Sequence, residues 1–419
     1  MTVIQKKSDN PIAHLSKEQI EELGNELDAI RQEILDSRGA SDAAYIRAVI
    51  KTQRYLELGS RGVLLFSVFP PAWILGTLGL SISKILENME IGHNVLHGQW
   101  DWMRDPKIHS STWEWDNVTP SEAWKHSHNE VHHTYTNIVG KDNDLGYGIM
   151  RVDEDQRWMP MYVAQPAWNF INACFFQYGI AAYDLELGRN LRLPKGKRPA
   201  DFDDQVKAVL KKIRKHMVRD YVIHPGLSIP TGSFLPTIGA NLVANWARNV
   251  WSHSVIMCGH FPEGVETFEK AMLADDETRG DWYIRQMLGS ANISGSKFTH
   301  IMTGNLSHQI EHHLFPDLPS NRYAEAAVKV KALFEKYELN YHEASLPQQV
   351  YSAWHKVVRL SFPNGWLETT TVRNLPKQLG LLAKMVTGDK RTRRLLGRHL
   401  ESSAATLRKS APTDVQAVA

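Results

Sequence analysis

The chain has 419 residues, and its 48 basic and 46 acidic side chains leave a formal net charge of only +2. A balance this close produces no strong field toward nucleic acid, and we expect no nucleic-acid partner. Two cysteines, Cys174 and Cys258, are too few for a four-thiolate iron–sulfur site or a disulfide framework.

The first predicted element is a helix that ends near Asp36. Ser16 and Gln19 form the sequence pattern of a capping box, which opens a helix at this point. One apolar stripe follows at helical spacing: Ile20, Leu23, Leu27, Ile30 and Ile34. The stripe suits either a partner protein or docking on the rest of the chain, and we favour docking.

Three stretches then run without a charged residue: Gly62–Ser83, Trp158–Tyr183 and Tyr221–Ala247. Each is close to the roughly twenty helical residues that cross a hydrocarbon core, which indicates a membrane protein. The mean hydropathy of −0.36 fits a few spans joined to a large cytosolic part.

The topology of these spans follows from the loop between the last two stretches. Residues 184–220 are rich in Lys and Arg, which favours the cytoplasmic side. Two helical hairpins satisfy this constraint, one bent near Pro70 and Pro71 and the other between Pro225 and Pro236, with Trp158–Tyr183 at the interface.

Histidines recur in three clusters of similar spacing. They are His93 and His97; His128, His132 and His133; and His308, His312 and His313. Residues four apart lie on one face of a helix, and neutral imidazole is a ready ligand for transition metals. One cluster alone could be a surface group, but its recurrence favours a site for two metal ions.

Further donors are less firmly placed. His260 and His253, the latter preceded by Asn249, compete as a ninth ligand, and we favour His260. Gln309 and Asn129 stand beside His308 and His128 as alternatives. We choose the histidines because imidazole is the stronger donor.

These motifs resemble a known family. His93-x3-His97, His128-x3-His132-His133 and His308-x2-Glu311-His312-His313 resemble the three histidine boxes of the membrane fatty-acid desaturases, whose superfamily also contains hydroxylases. The resemblance extends over roughly residues 56–341 and is nearest to actinobacterial stearoyl-CoA desaturases.

The resemblance implies an all-α fold. About four transmembrane helices in hairpins would carry a cytosolic helical cap with a di-iron site. We divide the chain into an N-terminal cytosolic helical segment (1–45), a catalytic domain (46–345) and a basic cytosolic tail (346–419). The predicted ligands are His93, His97, His128, His132, His133, His260, His308, His312 and His313, with His253, Asn249 and Gln309 in a second tier. No substrate-binding residue is assigned.

The implied activity is O2-dependent insertion of a cis double bond into a long-chain acyl-CoA, or an acyl-lipid, at two iron ions. The chain has no nucleotide fingerprint or cysteine cluster, so a separate flavin and iron–sulfur NAD(P)H reductase is expected to supply electrons. The implied location is a bacterial plasma membrane, in contact with lipid, with the site facing the cytoplasm. The alternatives are a membrane di-iron hydroxylase and a non-enzymatic haem-binding or metal-transporting membrane protein.

Overall fold

A computed structural model describes residues 11–142, 144–269 and 277–410. The ends of the predicted N-terminal segment and basic tail, residues 1–10 and 411–419, lie outside the described residues.

Helices account for most of the described chain, which confirms the all-α prediction. The α-helices are α1 (Lys17–Asp36), α2 (Ala40–Leu64), α3 (Pro70–Leu86), α4 (Asn94–Leu96), α5 (Ser121–Trp124), α6 (His133–Tyr135), α7 (Gln165–Cys174), α8 (Phe176–Asp184), α9 (Leu187–Asn190), α10 (Phe202–Val218), α11 (His224–Leu227), α12 (Phe234–His260), α13 (Arg279–Leu288), α14 (Lys297–Met302), α15 (Gln309–Leu314), α16 (Tyr323–Lys336), α17 (Leu346–Leu360), α18 (Trp366–Thr369), α19 (Leu375–Thr387) and α20 (Lys390–Ser410). Three π-helical segments continue neighbouring helices: Glu87–His93, Lys125–His132 and Arg219–Ile223.

The strands are short and pair in parallel. They are β1 (Ile138–Val139) with β2 (Phe268–Glu269), and β3 (Asn292–Ser294) with β4 (Glu343–Ser345). Ile138 lies opposite Phe268 in the first pair, and Ile293 lies opposite Ala344 in the second. Both pairs tie distant parts of the chain together around the histidine-bearing segments.

Helix α1 begins and ends where its sequence predicts. The Ser16 hydroxyl accepts from the Gln19 backbone N–H at 3.2 Å, and the Gln19 side chain accepts from the Ser16 N–H at 2.8 Å. The apolar stripe of α1 packs against α13 and α16 in the largest hydrophobic core. The stripe therefore docks on the chain itself, as expected.

The two predicted bends are also present. Helices α2 and α3 form one hairpin, with Pro70 and Pro71 at the first positions of α3, where a missing N–H costs nothing. The second bend lies between α11 and the start of α12. The hairpins pack together through α3 and α12, and the Trp73 indole N–H donates to the Pro236 carbonyl at 3.0 Å. The second apolar stretch, Trp158–Tyr183, contains the short helices α7 and α8.

In the parts of the chain that the structure describes, no helix combines the length and the apolar character needed to cross a bilayer. The four membrane-spanning helices therefore stay a prediction.

Candidate metal centre

The first histidine cluster lies where helix α3 changes its winding. The π-helical turn Glu87–His93 continues α3, and His97 caps the short helix α4 that follows. A π-helical turn is wider than an α-helical turn and is frequent at functional sites. The spacing predicted for a regular α-helix therefore does not describe this segment, although both histidines face the same cluster.

The second cluster also lies on a π-helical segment. Lys125–His132 is π-helical, and His133 begins α6. Strand β1 and a tight turn then bring Asp142 and Asp144 back to the rings of His132 and His128.

The third cluster is fastened to the first through a turn at Gly304 and Asn305. Both residues have positive φ, of 73° and 55°, and a Cβ on Gly304 would lie 2.7 Å from the Met89 carbonyl. Only glycine fits this close approach without strain. The Gly304 carbonyl accepts from the Asn94 side chain at 3.1 Å, and the Asn305 amide donates to Glu90 at 2.9 Å. Helix α15, with His312 and His313, therefore lies directly against the first cluster.

Seven of the predicted ligands converge in two neighbouring groups. His93, His97, His128 and His312 form group A, and His132, His260 and His313 form group B; within each group the ligand atoms lie within 4.8 Å of one another. His133 lies between the groups, with its ring centroid 4.8 Å from that of His97 and 4.5 Å from that of His313. The arrangement therefore provides nitrogen donors for two adjacent ions.

The outer nitrogen of several rings already has a partner. A side-chain oxygen lies near Nδ1 in four cases: Asp144 for His128 at 3.0 Å, Asp142 for His132 at 2.9 Å, Tyr323 for His312 at 3.1 Å and Gln286 for His313 at 3.2 Å. Carboxylate and amide oxygens can only accept, and the Tyr323 hydroxyl donates to the Phe315 carbonyl. Nδ1 therefore carries a proton in each ring, and in the neutral form of the ring Nε2 keeps its lone pair.

The Nε2 atoms of the clustered rings also lie close to one another. The Nε2 atoms of His93 and His312 are 3.3 Å apart, and those of His260 and His313 are 3.1 Å apart. His97 and His128 each have a buried Nε2 with no hydrogen-bond partner among the described residues, and His133 has two such nitrogens. A metal ion would satisfy these close and partly unpartnered nitrogens, so the residues fit a pair of metal ions.

Burial keeps these rings neutral. It lowers the pKa values of His93, His97, His133 and His312 well below the ordinary range, and neighbouring histidines lower them further. Neutral imidazole is the form that binds a metal. His132 differs: burial alone would lower its pKa, but the Asp142 carboxylate raises the pKa of His132 to about 8.

One predicted ligand lies away from the cluster. His308 precedes the first residue of α15, with φ −100° and ψ 58°, so its side chain does not share the face of His312. Its ring stacks on His300 at 4.7 Å. Gln309, placed in the second tier, instead lies 3.0 Å from His260 Nε2. The structure therefore places Gln309, and not His308, beside the clustered imidazoles, because residue 308 lies before the helix and not within it.

The other two second-tier residues also lie outside the groups. His253 hydrogen-bonds to the Asn169 side chain at 2.9 Å, and the Asn249 amide donates to the Cys174 carbonyl at 3.0 Å. Of the two candidates on α12, the structure brings His260, not His253, to the cluster.

Sequence reasoning missed Asp142 and Asp144 as partners of the rings. The acidic residues nearest to the histidines in the sequence bond elsewhere: Glu90 accepts from Asn305, Glu130 pairs with His126 and Glu311 accepts from Tyr341. The available signal was a pair of carboxylates shortly after the second cluster, but the turn that folds them back is not visible in the pattern of residues.

Comparison with known proteins agrees with this geometry. The fatty acid desaturase family model matches residues 67–345. The chain is 47% identical over 357 residues to a protein of Mycobacterium tuberculosis named NADPH-dependent stearoyl-CoA 9-desaturase, covering 85% of this chain and 83% of that protein. It is 26% identical over 316 residues to the sn-1 linoleoyl-lipid 6-desaturase of Synechocystis, covering 73% of this chain and 82% of that protein.

The fold and the histidine groups define a helical oxidoreductase of the desaturase class. The chain belongs to the fatty acid desaturase family, which confirms the resemblance seen in its histidine boxes.

Proposed function

We propose that the protein desaturates a long-chain fatty acyl-CoA, with O2 as the oxidant and two iron ions as the cofactor. The observation that carries this proposal is the pair of adjacent groups of buried and half-buried imidazoles, several of whose nitrogens have no hydrogen-bond partner among the described residues. The name of the mycobacterial relative, a stearoyl-CoA 9-desaturase, supports a saturated acyl-CoA of similar length as the substrate.

The residues fit iron better than calcium or magnesium, because nitrogen donors suit transition metals and hard cations prefer oxygen. Zinc is redox-inert, whereas removal of two hydrogens from neighbouring methylenes is an oxidation. When bound, the iron pair supplies the activation of O2 that breaks an unactivated C–H bond. Reduction of O2 to two waters takes two electrons from the acyl chain and two from a donor.

The protein's own side chains hold and orient the imidazole rings that would bind the metal ions. The bonds from Asp142, Asp144, Tyr323 and Gln286 fix the imidazole rings, and such outer partners raise the basicity of the ligand nitrogen. Trp124 stacks on His128, with ring centroids 4.4 Å apart, and closes one side of group A to water. The ring positions are therefore set before any substrate arrives.

The electrons come from a separate NAD(P)H-dependent reductase in this proposal. Cys174 and Cys258 are both free thiols in different helices, which is too few for an iron–sulfur cluster. The mycobacterial relative is named as NADPH-dependent, which supports a reductase partner for this chain.

We also infer that the protein sits in a bacterial plasma membrane with the metal centre on the cytoplasmic side. Large apolar side chains are exposed along both hairpins, including Leu58, Phe66, Phe69, Ile74, Leu75, Leu78, Leu227, Ile229, Leu235, Leu242 and Trp246. This set is named the apolar belt below. Many large apolar side chains exposed on neighbouring helices are typical of membrane contact. The basic helix α10 packs beside the cluster-bearing segment through the Lys212 ammonium, which donates to the Trp115 carbonyl at 3.1 Å.

Product analysis tests the activity. The purified protein, supplied with iron, O2, NADPH and a flavin and iron–sulfur reductase, should convert stearoyl-CoA to a mono-unsaturated acyl-CoA. A hydroxylated acyl-CoA as the main product would favour the hydroxylase alternative. Turnover of an acyl-lipid but not of the acyl-CoA would overturn the proposed substrate class.

A further inference from the structure

A cavity that is separate from the candidate metal centre lies beside helix α20. It has a volume of about 680 Å³ and is bounded by residues 151–158 and helix α20. Helix α20 packs on α18 and α19, and Leu400 joins Trp158 and Trp366 in a small hydrophobic cluster beneath the cavity. None of the clustered histidines lines this cavity.

The walls of the cavity carry an excess of positive charge. Six basic residues that line it form no salt bridge within the part of the chain that the structure describes: Arg157, Lys390, Arg391, Arg393, Arg394 and Arg398. The acidic residues at the wall are Glu154, Asp155 and Glu401, and Glu154 already pairs with Arg359. Arg151 also lines the cavity, but its guanidinium is occupied by the carbonyls of Glu154, Gln156 and Phe362. The remaining walls are strongly cationic.

The arginines on one face of helix α20 repel one another. Arg391, Arg394 and Arg398 are three and four residues apart, so they lie on one face of the helix. Like charges at that spacing repel and destabilise a helix. A bound anion would convert this repulsion into attraction.

The form of the cavity narrows the chemistry of that anion. Its volume lies within the usual range for small-molecule sites. The arginine forks match phosphate oxygens in a bidentate manner, and more than one phosphate is needed to balance the positive charge that Asp155 and Glu401 leave at the wall. Trp158, Pro363 and Met385 give one wall an apolar character that suits a base or another flat organic group.

We propose that this cavity binds an organic polyphosphate of the nucleotide diphosphate type. Two sources share that chemistry: a free nucleotide, and the nucleotide end of the acyl-CoA substrate, which rests on the proposed function. A ligand here would fasten α20 to residues 151–158, and these residues follow directly on the turn that orients His128 and His132.

Calorimetric titration of the full-length protein with sodium pyrophosphate, ADP and coenzyme A tests the proposal without turnover. We expect one saturable site, weakened about tenfold or more by R394A with R398A, since each guanidinium contributes charge-assisted bonds. The matched control is R373A with K384A, which removes two exposed cations outside the cavity and should leave the affinity unchanged. All four side chains are exposed, so neither variant should disturb folding.

The source of the ligand follows from two further results. A higher KM for the acyl-CoA at unchanged kcat in R394A with R398A would identify the substrate's nucleotide end. Equal affinities for ADP and coenzyme A with an unchanged KM would identify a free nucleotide. The proposal is overturned by an absence of saturable binding, by equal weakening in the control variant, or by binding to anionic phospholipid vesicles alone. Because the titration also works on metal-free protein, its result is independent of the proposed catalytic activity.

Discussion

At the scale of single residues, Asp142 orients one of the clustered histidines directly. Both of its carboxylate oxygens lie within hydrogen-bond distance of His132 Nδ1, at 2.9 and 3.0 Å. It also accepts from the backbone N–H groups of Asn137 and Asp144 at 2.8 Å. The carboxylate therefore links the second histidine cluster to the turn that follows it.

D142N should weaken retention of the metal by about 10- to 100-fold, the usual effect of losing a partner behind a ligand histidine. The amide keeps the shape of the side chain but removes the charge that stabilises the His132 N–H. The measurement is iron content after dialysis against a competing chelator.

The control for that variant is E130Q. Glu130 lies two residues before His132 but bonds to the exposed His126 at 2.7 Å. The E130Q variant should leave iron retention unchanged. Equal losses of iron in E130Q and D142N would show that the charge of Asp142 acts only at long range.

Glu90 should give the stability of the protein a distinct pH dependence. It is fully buried, and burial raises its pKa from 4.5 to about 7 although Ser320, Tyr45 and Asn305 donate to it. The folded state therefore binds this proton more tightly than the unfolded state between pH 4.5 and 7. The free energy of unfolding should fall as the pH rises through that window, by about 3 kcal/mol for this group.

Denaturant unfolding of metal-free wild-type protein and E90Q across pH 4.5–7 measures this contribution. The variant should lose that part of the fall, so the two stability curves should diverge as the pH rises. Parallel curves would show that Glu90 stays ionised in the folded protein.

The position of single side chains was the part of the site least accessible from sequence. Eight of the nine predicted histidines lie together. The ninth, His308, lies outside the groups, and Gln309 lies beside His260, because α15 begins at residue 309. A difference of one residue at a helix end turns a side chain by about 100°, and periodicity does not define ends so finely.

At the scale of whole elements, prolines and capping residues predicted the starts and bends of helices correctly. The π-helical winding of two segments could not be predicted from the sequence. Ser16 and Gln19 defined the start of α1, and Pro70 and Pro71 defined the first bend, because each acts through its own backbone chemistry. The π-helical turns at Glu87–His93 and Lys125–His132 have no such local marker. They result from packing of the clusters against one another.

The docking of α1 depends on close contact with α13. A Cβ on Gly280 would lie 2.3 Å from the Ile20 carbonyl oxygen, so an added methyl group would force the two helices apart. G280A should lower the free energy of unfolding by about 1–3 kcal/mol, the usual cost of overpacking.

Thermal unfolding followed by circular dichroism measures that loss. G59A is the matched control, since Gly59 lies inside α2 with nothing within 4 Å of an added Cβ. Alanine favours a helix, so this variant should be neutral or slightly stabilising. Equal melting temperatures for G280A and the wild type would mean that α1 is not held as described.

At the scale of the whole molecule, the apolar belt and the metal centre lie on one continuous framework. The two hairpins meet through α3 and α12, and those helices run directly into His93 and His260. The proposed membrane contact would therefore position the centre at the bilayer surface, where an acyl chain can reach it.

Charge placed in the belt should release the protein from membranes. Leu75 and Leu235 are 65% and 73% exposed, and L75K with L235K should raise the fraction extracted by alkaline washing, because lysine is costly in hydrocarbon. V328K changes a side chain that is equally exposed on α16, outside the belt, and should remain in the pellet. Extraction of the wild type itself would contradict the proposed location.

The most direct test of the central claim is the metal content of the purified protein. Two iron ions per chain are expected, with content reduced in H312A and H133A and unchanged in H308A, because the His308 ring lies outside both groups. A protein that retains only zinc, that holds no more than one iron, or that loses iron equally in H308A and H312A would contradict the account.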